Sequence, residues 1–178
     1  MADSVLRDGG NIMKEGAGVL LQVATNCTVT HNSISQFRYT GVSVGWSWDY
    51  GPTATKNKSA IDTFSVCVLS VSLTQKCHDC STVSWNSIST IGMGELSDLG
   101  CVYHLGENEG HVTTHNTCTN VSSFSYGGNA FYTDQGSQGV EISFNLAHHV
   151  KCAGFLQNFG TENRKLLTLL DLIPRAVL

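Results

Sequence analysis

Two aspartates in turn-like segments are the residues of this sequence best suited to catalysis. Asp98 lies in Ser97-Asp-Leu-Gly100, and Asp134 lies in Tyr132-Thr-Asp-Gln-Gly136. Two carboxyl groups that flank one bond are what glycoside hydrolysis needs, because one protonates the leaving oxygen while the other acts as nucleophile or activates water. The alternative is that both aspartates only cap turns, as Asp commonly does. The choice depends on the elements that position them.

An internal repeat indicates what those elements are. Four segments align on an Asn at positions 32, 86, 116 and 145, so the spacings are 54, 30 and 29. The first spacing fits one period plus an insertion of about two dozen residues. The aligned segments are Val29-Thr-His-Asn-Ser-Ile-Ser35, Val83-Ser-Trp-Asn-Ser-Ile-Ser89, Thr113-Thr-His-Asn-Thr-Cys-Thr119 and Ile142-Ser-Phe-Asn-Leu-Ala-His148.

The repeat predicts an all-β fold, a right-handed parallel β-helix. A short strand, a turn at Asn and another strand cannot cover their own apolar face, so such coils stack and share one core. We expect four to five coils, as a fragment of a longer solenoid. The Asn side chains should form a column at one corner, each bonding backbone or its neighbour. The alternative is a β-sandwich whose hairpins contain Asn by coincidence.

A second set of four segments follows the first set along the chain. These segments are Gly41-Val-Ser-Val-Gly45, Cys101-Val-Tyr-His-Leu105, Ala130-Phe-Tyr-Thr-Asp134 and Gly154-Phe-Leu-Gln-Asn158. The alternation of a strand directs the second residue of each into the core and the third outward. The outer residues are therefore Ser43, Tyr103, Tyr132 and Leu156, followed on the same face by Gly45, Leu105, Asp134 and Asn158. On this aromatic and acidic face we predict a substrate site, with Tyr103, Tyr132, Gln135 and Gln157 binding substrate.

The loop after the first of these segments adds further aromatic groups. Trp46-Ser-Trp48-Asp-Tyr50 contains three aromatics in a short stretch of chain. The apolar face of a sugar ring packs well against indole, so we predict that Trp46 and Trp48 also bind substrate. The alternative is that this loop packs on the flank of the solenoid.

Cysteine and histidine do not predict a metal or cofactor site. Cys77-His-Asp-Cys80 has the spacing of half a zinc site or of a redox pair, but no second CxxC or HxxxH accompanies it. Cys101 and Cys118 occupy repeat positions of small buried residues. His31 and His115 share the position beside the Asn column, which indicates a structural stack. We therefore expect no metal and no cofactor.

Composition excludes several classes of partner. Only 13% of the residues are charged, and there are 18 Gly but 2 Pro, which is typical of short strands joined by tight turns. A net charge of −4 without a Lys/Arg cluster argues against nucleic acid. No apolar run reaches membrane-spanning length, so we expect no membrane partner. The start of the chain lacks the apolar core of a signal peptide, which indicates a cytosolic chain or a fragment.

Two regions break the repeat. Residues 58–79 resemble no other repeat segment in sequence. We interpret them as an atypical insertion within a β-helix domain of residues 1–163. Residues 164–178 form a Leu-rich tail. This tail is either a cap over the edge of the last coil or a segment foreign to the fold.

Several long segments make the chain resemble right-handed parallel β-helix repeat proteins of the pectate-lyase-like superfamily. Between Gly16 and Asn163 they are Gly16-Ala-Gly-Val-Leu-Leu-Gln22, Tyr39-Thr-Gly-Val-Ser-Val-Gly-Trp-Ser-Trp48, Tyr50-Gly-Pro-Thr-Ala-Thr-Lys-Asn57, Gly94-Glu-Leu-Ser-Asp-Leu-Gly100, Tyr126-Gly-Gly128, Tyr132-Thr-Asp-Gln-Gly-Ser137 and Gly154-Phe-Leu-Gln-Asn-Phe-Gly160. The chain also resembles carbohydrate-active members, glycoside hydrolases that act on fucosides or xylans. The resemblance implies a polysaccharide partner, an extracellular location, and Asp98 and Asp134 as the catalytic pair.

Three positions depart from that family pattern. Gln135 stands where members have Glu, and Leu156 and Asn158 stand where members have His. Because both of the latter fall on the outer face, two imidazoles that could transfer protons or bind substrate are lost. Our first hypothesis is a glycoside-hydrolase-like protein. The alternative is a non-catalytic glycan-binding or structural β-helix, and a polysaccharide lyase, which would need an acidic calcium cluster and a Lys or Arg base, comes third.

Overall fold

The computed structural model describes residues 1–45 and 81–158, apart from 23, 25, 107 and 109, and the backbone of 164–165 and 168–171. Within this part of the chain every regular element is a β-strand, which confirms the all-β prediction. The strands are β1 (Val5–Gly9), β2 (Val19–Leu21), β3 (Thr28–Thr30), β4 (Ser33–Phe37), β5 (Val42–Gly45), β6 (Thr82–Ser84), β7 (Ser87–Ile91), β8 (Gly100–Leu105), β9 (Val112–Thr114), β10 (Thr117–Val121), β11 (Asn129–Thr133), β12 (Glu141–Ser143), β13 (Asn145–Val150), β14 (Phe155–Gln157), β15 (Arg164–Lys165) and β16 (Thr168–Asp171).

Consecutive strands enter three parallel sheets in rotation. One sheet has the order β1-β4-β7-β10-β13-β16, the second β14-β11-β8-β5-β2, and the third β15-β12-β9-β6-β3. Each inner strand therefore pairs with the strands three places before and after it in the chain, and each edge strand pairs with one of these. We call three consecutive strands, one from each sheet, a rung. The tail strands β15 and β16 add to two of the sheets by pairing with β12 and β13, while the domain boundary at 163 stays a prediction.

The predicted Asn column is present at the corner before β4, β7, β10 and β13. The Oδ1 atom of Asn86 accepts hydrogen bonds from the backbone N of Asn32 at 3.0 Å and from its Nδ2 at 2.9 Å. Asn116 accepts from Asn86 in the same way, and Asn145 accepts from Asn116. These side chains are buried. Each Asn thus satisfies a backbone donor that the turn leaves outside the sheets, which fixes one rung on the next.

A stack of aromatic rings runs beside this column, as the sequence predicted for His31 and His115. The rings lie in the order His31, Trp85, His115 and Phe144, with centroid separations of 6.2, 4.2 and 5.2 Å. All four residues have positive φ, because each occupies the same left-handed turn position just before an Asn of the column. The stack is exposed and makes a structural contact between rungs.

The apolar core lies between the three sheets. Its rows run across rungs, for example Ile34 beside Ile88 beside Cys118 in register. Cys101 and Cys118 are buried, as predicted, but they also form a disulfide between the second and the first sheet. The sequence repeat could not predict this pairing. It shows which residues are neighbours in one sheet, but not which residues of different sheets meet across the core.

The second set of repeat segments has the predicted register. Val42 pairs with Val102 and Val102 with Phe131, and these side chains belong to the core. Their outer neighbours Tyr103 and Tyr132 are adjacent in the sheet and form a separate apolar cluster. Tyr103 and Tyr132 are each 2% exposed, so the outer face of this sheet is covered at these two positions. No helix among the described residues is long and apolar enough to span a membrane.

Candidate functional site

Asp98 lies in the turn that leads into β8. Its backbone N donates to the carbonyl oxygen of Tyr126 at 3.2 Å, so the next rung supports this turn. Gly127 makes the close approach possible, because a Cβ there would lie 2.8 Å from the backbone N of Asp98 and the φ of Gly127 is +78°. Asp98 itself has a φ of 59°, a left-handed conformation that Asp tolerates better than most residues. Its side chain is half-buried.

Asp134 follows directly after β11 and is 3% exposed. Its carboxylate accepts two hydrogen bonds, from the hydroxyl of Tyr103 to Oδ2 at 2.5 Å and from Nδ2 of Asn158 to Oδ1 at 2.8 Å. Its backbone N donates to the carbonyl oxygen of His104. The donors come from the rungs before and after, so the position of this carboxylate depends on the register of three rungs.

Tyr132 connects the two aspartates. It lies two residues before Asp134 on the outer face of β11, and its hydroxyl donates to Oδ1 of Asp98 at 2.8 Å. Tyr103, in the preceding rung, donates to Asp134, and the two tyrosine rings pack with centroids 4.9 Å apart. The tyrosine from each rung thus reaches the aspartate of the other. The side-chain length compensates for the different positions of the aspartates along the chain.

Burial and neighbouring charge shift the pKa values of several groups at this site. The pKa of Asp98 is raised above its ordinary value of 3.8, first by burial and also by the negative charge of Asp134, while the hydrogen bond from Tyr132 opposes the rise. Burial and the nearby carboxylates also raise the pKa values of Tyr103 and Tyr132. Both phenols therefore stay protonated donors at neutral pH. Asp98 therefore retains its proton to higher pH than an ordinary aspartate does.

Tyr39 is a member of this site that the sequence analysis did not select. Burial raises its pKa to about 12, and the charges of Asp98 and Asp134 add to the rise, so its side chain lies close to both carboxylates. Its position just before the first segment of the second repeat set was the available signal.

The other predicted site residues differ in burial and in what they contact. Gln135 follows Asp134 and is half-buried, and Gln157 is exposed at the end of β14, where it pairs in register with Thr133. Leu156 packs against Tyr103 and Tyr132, as the column alignment predicted. Trp46 and Trp48, the insertion 58–79 and the Cys77–Cys80 motif lie outside the described residues.

Tyr103 and Tyr132 hold the carboxylates and do not offer an open platform. Their rings are covered and their hydroxyls are engaged with Asp134 and Asp98. Direct contact of either ring with substrate stays a prediction. Among the described residues, no three His, Cys, Asp or Glu side chains are close enough to hold a metal ion.

Charged side chains fasten the turns beside Asp98. Glu95, in the turn before Asp98, forms ion pairs with Lys14 at 2.9 Å and with Arg38. In the following rung, Nζ of Lys151 donates to the carbonyl oxygens of Ser123 and Ser125, each at 2.7 Å. Both turns are therefore tied to neighbouring rungs, which limits how far Asp98 can move.

Comparison with known proteins gives one informative match. No family model matches the chain, and no curated protein matches it. A solved structure named "Glycoside hydrolase" is similar to this chain with a TM-score of 0.62 and 17% sequence identity, over 93% of this chain and 24% of that one. The chain thus spans about a quarter of the length of that protein. At this identity the likeness shows the fold alone: this chain and that structure share an all-parallel β architecture.

Proposed function

We propose that the chain is part of a right-handed parallel β-helix that hydrolyses a glycosidic bond with Asp98 and Asp134. The observation that carries this proposal is the cross-connection of the two carboxylates, in which Tyr103 donates to Asp134 and Tyr132 donates to Asp98. These two hydrogen bonds hold both carboxyl groups at one site, although the aspartates come from different turns. A pair of coupled carboxyl groups in different environments is what acid-assisted hydrolysis requires.

Asp98 is the general acid of this proposal. Burial and the charge of Asp134 raise its pKa, so it can carry a proton for the leaving oxygen to higher pH than an ordinary aspartate does. Asp134, fixed by donors from Tyr103 and Asn158, acts as nucleophile or activates water. Hydrogen bonds on both of its oxygens keep the carboxylate oriented, which contributes to a productive geometry.

Asn158 replaces part of what the missing imidazole would supply. Its Nδ2 keeps a hydrogen bond to Asp134, but an amide cannot exchange a proton as imidazole does. Leu156 supplies no polar group. The alternative function, a non-catalytic glycan-binding or structural β-helix, is favoured by Leu156 and by the burial of Asp134.

Fucosides and xylans are the proposed substrates, because the sequence resembles enzymes that act on them. The structural neighbour is itself named a glycoside hydrolase, which supports a carbohydrate substrate. We further propose an extracellular location. The Cys101–Cys118 disulfide supports it, since such bonds persist in oxidising compartments.

The test is hydrolysis of a panel of fucosides and xylans by the wild-type chain and by Asp98→Asn and Asp134→Asn. Asn tolerates the left-handed backbone of Asp98, so this substitution removes the acid without straining the turn. We expect each variant to lose on the order of 10²- to 10⁴-fold in kcat. Asp8→Asn is the matched control, because Asp8 is exposed and also has positive φ.

Three outcomes contradict the proposal. Activity that survives in both variants would remove Asp98 and Asp134 from the mechanism. Saturable binding of these glycans without any hydrolysis would favour the glycan-binding alternative. Calcium-dependent release of unsaturated products would identify a lyase.

A further inference from the structure

We propose that Phe124 and Tyr126 form an aromatic platform for a pyranose ring on the Asp98 side of the carboxylate pair, where the leaving-group sugar would lie. This inference rests on the proposed hydrolytic function, which assigns Asp98 as the acid. It adds a binding site on the loop 122–128 between β10 and β11.

The first observation is exposure. Phe124 and Tyr126 are 75% and 65% exposed, more than any other Phe, Tyr or Trp side chain among the described residues. An aromatic ring exposed to water forgoes the free energy that burial of its apolar surface would give. An apolar sugar face that stacks on such a ring recovers this cost while the sugar hydroxyls remain in water.

The second observation is position. The carbonyl oxygen of Tyr126 accepts the backbone N–H of Asp98 at 3.2 Å, and a Cβ on the neighbouring Gly127 would lie 2.8 Å from the same nitrogen. The exposed loop is therefore continuous with the carboxylate site.

Accessibility decides which side of the pair the loop serves. Asp134 is covered, whereas Asp98 is half-buried, so solvent reaches the pair from the Asp98 side. The sugar next to the general acid is the leaving group, because the acid protonates the oxygen that this sugar keeps. A ring on Tyr126 would thus belong to the leaving-group sugar.

The loop is held in a fixed shape, as a platform requires. Nζ of Lys151 donates to the carbonyl oxygens of Ser123 and Ser125, and the backbone N of Phe124 donates to the carbonyl oxygen of Leu96 at 2.8 Å. These bonds hold the backbone that carries the two exposed aromatic side chains. A rigid platform loses little conformational entropy when a ligand binds.

The experiment compares the wild-type chain with the double variant Phe124→Ala/Tyr126→Ala. Both side chains are exposed, so we expect an unchanged fold, checked by circular dichroism and urea unfolding. Phe144→Ala is the matched control, because Phe144 is an exposed aromatic residue beside the Asn column. Retardation of each chain in native gels containing fucan or xylan measures binding without any need for hydrolysis. Kinetics on an oligosaccharide and on the corresponding glycosyl fluoride, whose leaving group has no ring, measure the contribution to catalysis.

We expect the double variant to lose about ten-fold in polysaccharide affinity and in kcat/KM for the oligosaccharide, a loss of the size that stacking contacts provide. For the glycosyl fluoride we expect a change of less than about two-fold, because no leaving-group ring is present. Unchanged retardation, or equal losses on both substrates, would overturn the platform. Failure of the proposed function would appear separately, as absence of products from the wild-type chain while the binding difference persists.

Discussion

Replacement of Asn116 by Ala should be one of the most destabilising single substitutions in this fold. The Asn116 side chain is 1% exposed and makes five hydrogen bonds. Its Oδ1 atom accepts from the backbone N and Nδ2 of Asn86, at 3.0 and 2.9 Å. Its Nδ2 atom donates to the carbonyl oxygens of Val83 and Thr114 and to Oδ1 of Asn145.

The size of the effect follows from the groups left without partners. Ala at position 116 would leave the backbone N of Asn86 buried and unbonded, and it would remove the other four side-chain hydrogen bonds. The unbonded donor alone costs about 1–3 kcal/mol, so we expect a loss of at least this size in the free energy of unfolding. A loss of this size is a large part of the stability of an ordinary domain, which is about 5–15 kcal/mol.

Urea unfolding followed by circular dichroism measures this loss. Asn11→Ala is the matched control: Asn11 is exposed, and its side chain bonds the carbonyl oxygen of Asp8 and the guanidinium of Arg38. We expect the control to lose less than about 1 kcal/mol. If Asn116→Ala and Asn11→Ala shifted the midpoint equally, the Asn column would not be what fixes the rungs on one another.

Two further predictions concern buried side chains. Burial lowers the pKa of His104 to about 3 and that of His111 to about 4, below the ordinary 6.5, so the unfolded chain takes up protons first and stability falls as pH drops below 6.5. Between pH 7 and pH 5 each histidine should lower the free energy of unfolding by about 2 kcal/mol. Urea midpoints measured across this range should show half of the pH dependence in His104→Gln and all of it in the exposed control His31→Gln. Equal pH profiles for the two variants would refute the assignment. Without reductant, alkylation of the unfolded chain followed by mass spectrometry should leave Cys101 and Cys118 unmodified, and replacing both with Ala should cost about 3 kcal/mol. Alkylation of both would show that the disulfide does not form.

The sequence contained the features that place residues on rungs. The Asn spacing predicted the column, and period-two alternation predicted which residue of each segment faces the core and which neighbours it has in the next rung. The approach of Asn158 to Asp134 followed from the same alignment. These predictions succeeded because strand spacing and pleat are fixed by the backbone, and the backbone repeats.

Contacts that depend on side-chain direction could not be predicted in this way. Asp98 and Asp134 occupy different points along their rungs, and only the reach of Tyr103 and Tyr132 connects them. Tyr39 joins them from a third rung. The disulfide crosses the core from one sheet to another. A sequence repeat aligns residues within a sheet and does not predict contacts between sheets.

The central claim is that Asp98 and Asp134 act as one electrostatically coupled pair, and titration of the Asp98 carboxyl carbon by NMR tests it most directly. We predict that Asp98 titrates above its ordinary pKa of 3.8 in the wild-type chain. In Asp134→Asn its pKa should fall, because the neighbouring negative charge is gone, yet it should stay above 3.8 because burial remains. An Asp98 that titrates at 3.8, or that responds no more to Asp134→Asn than to the control Asp8→Asn, would contradict the account.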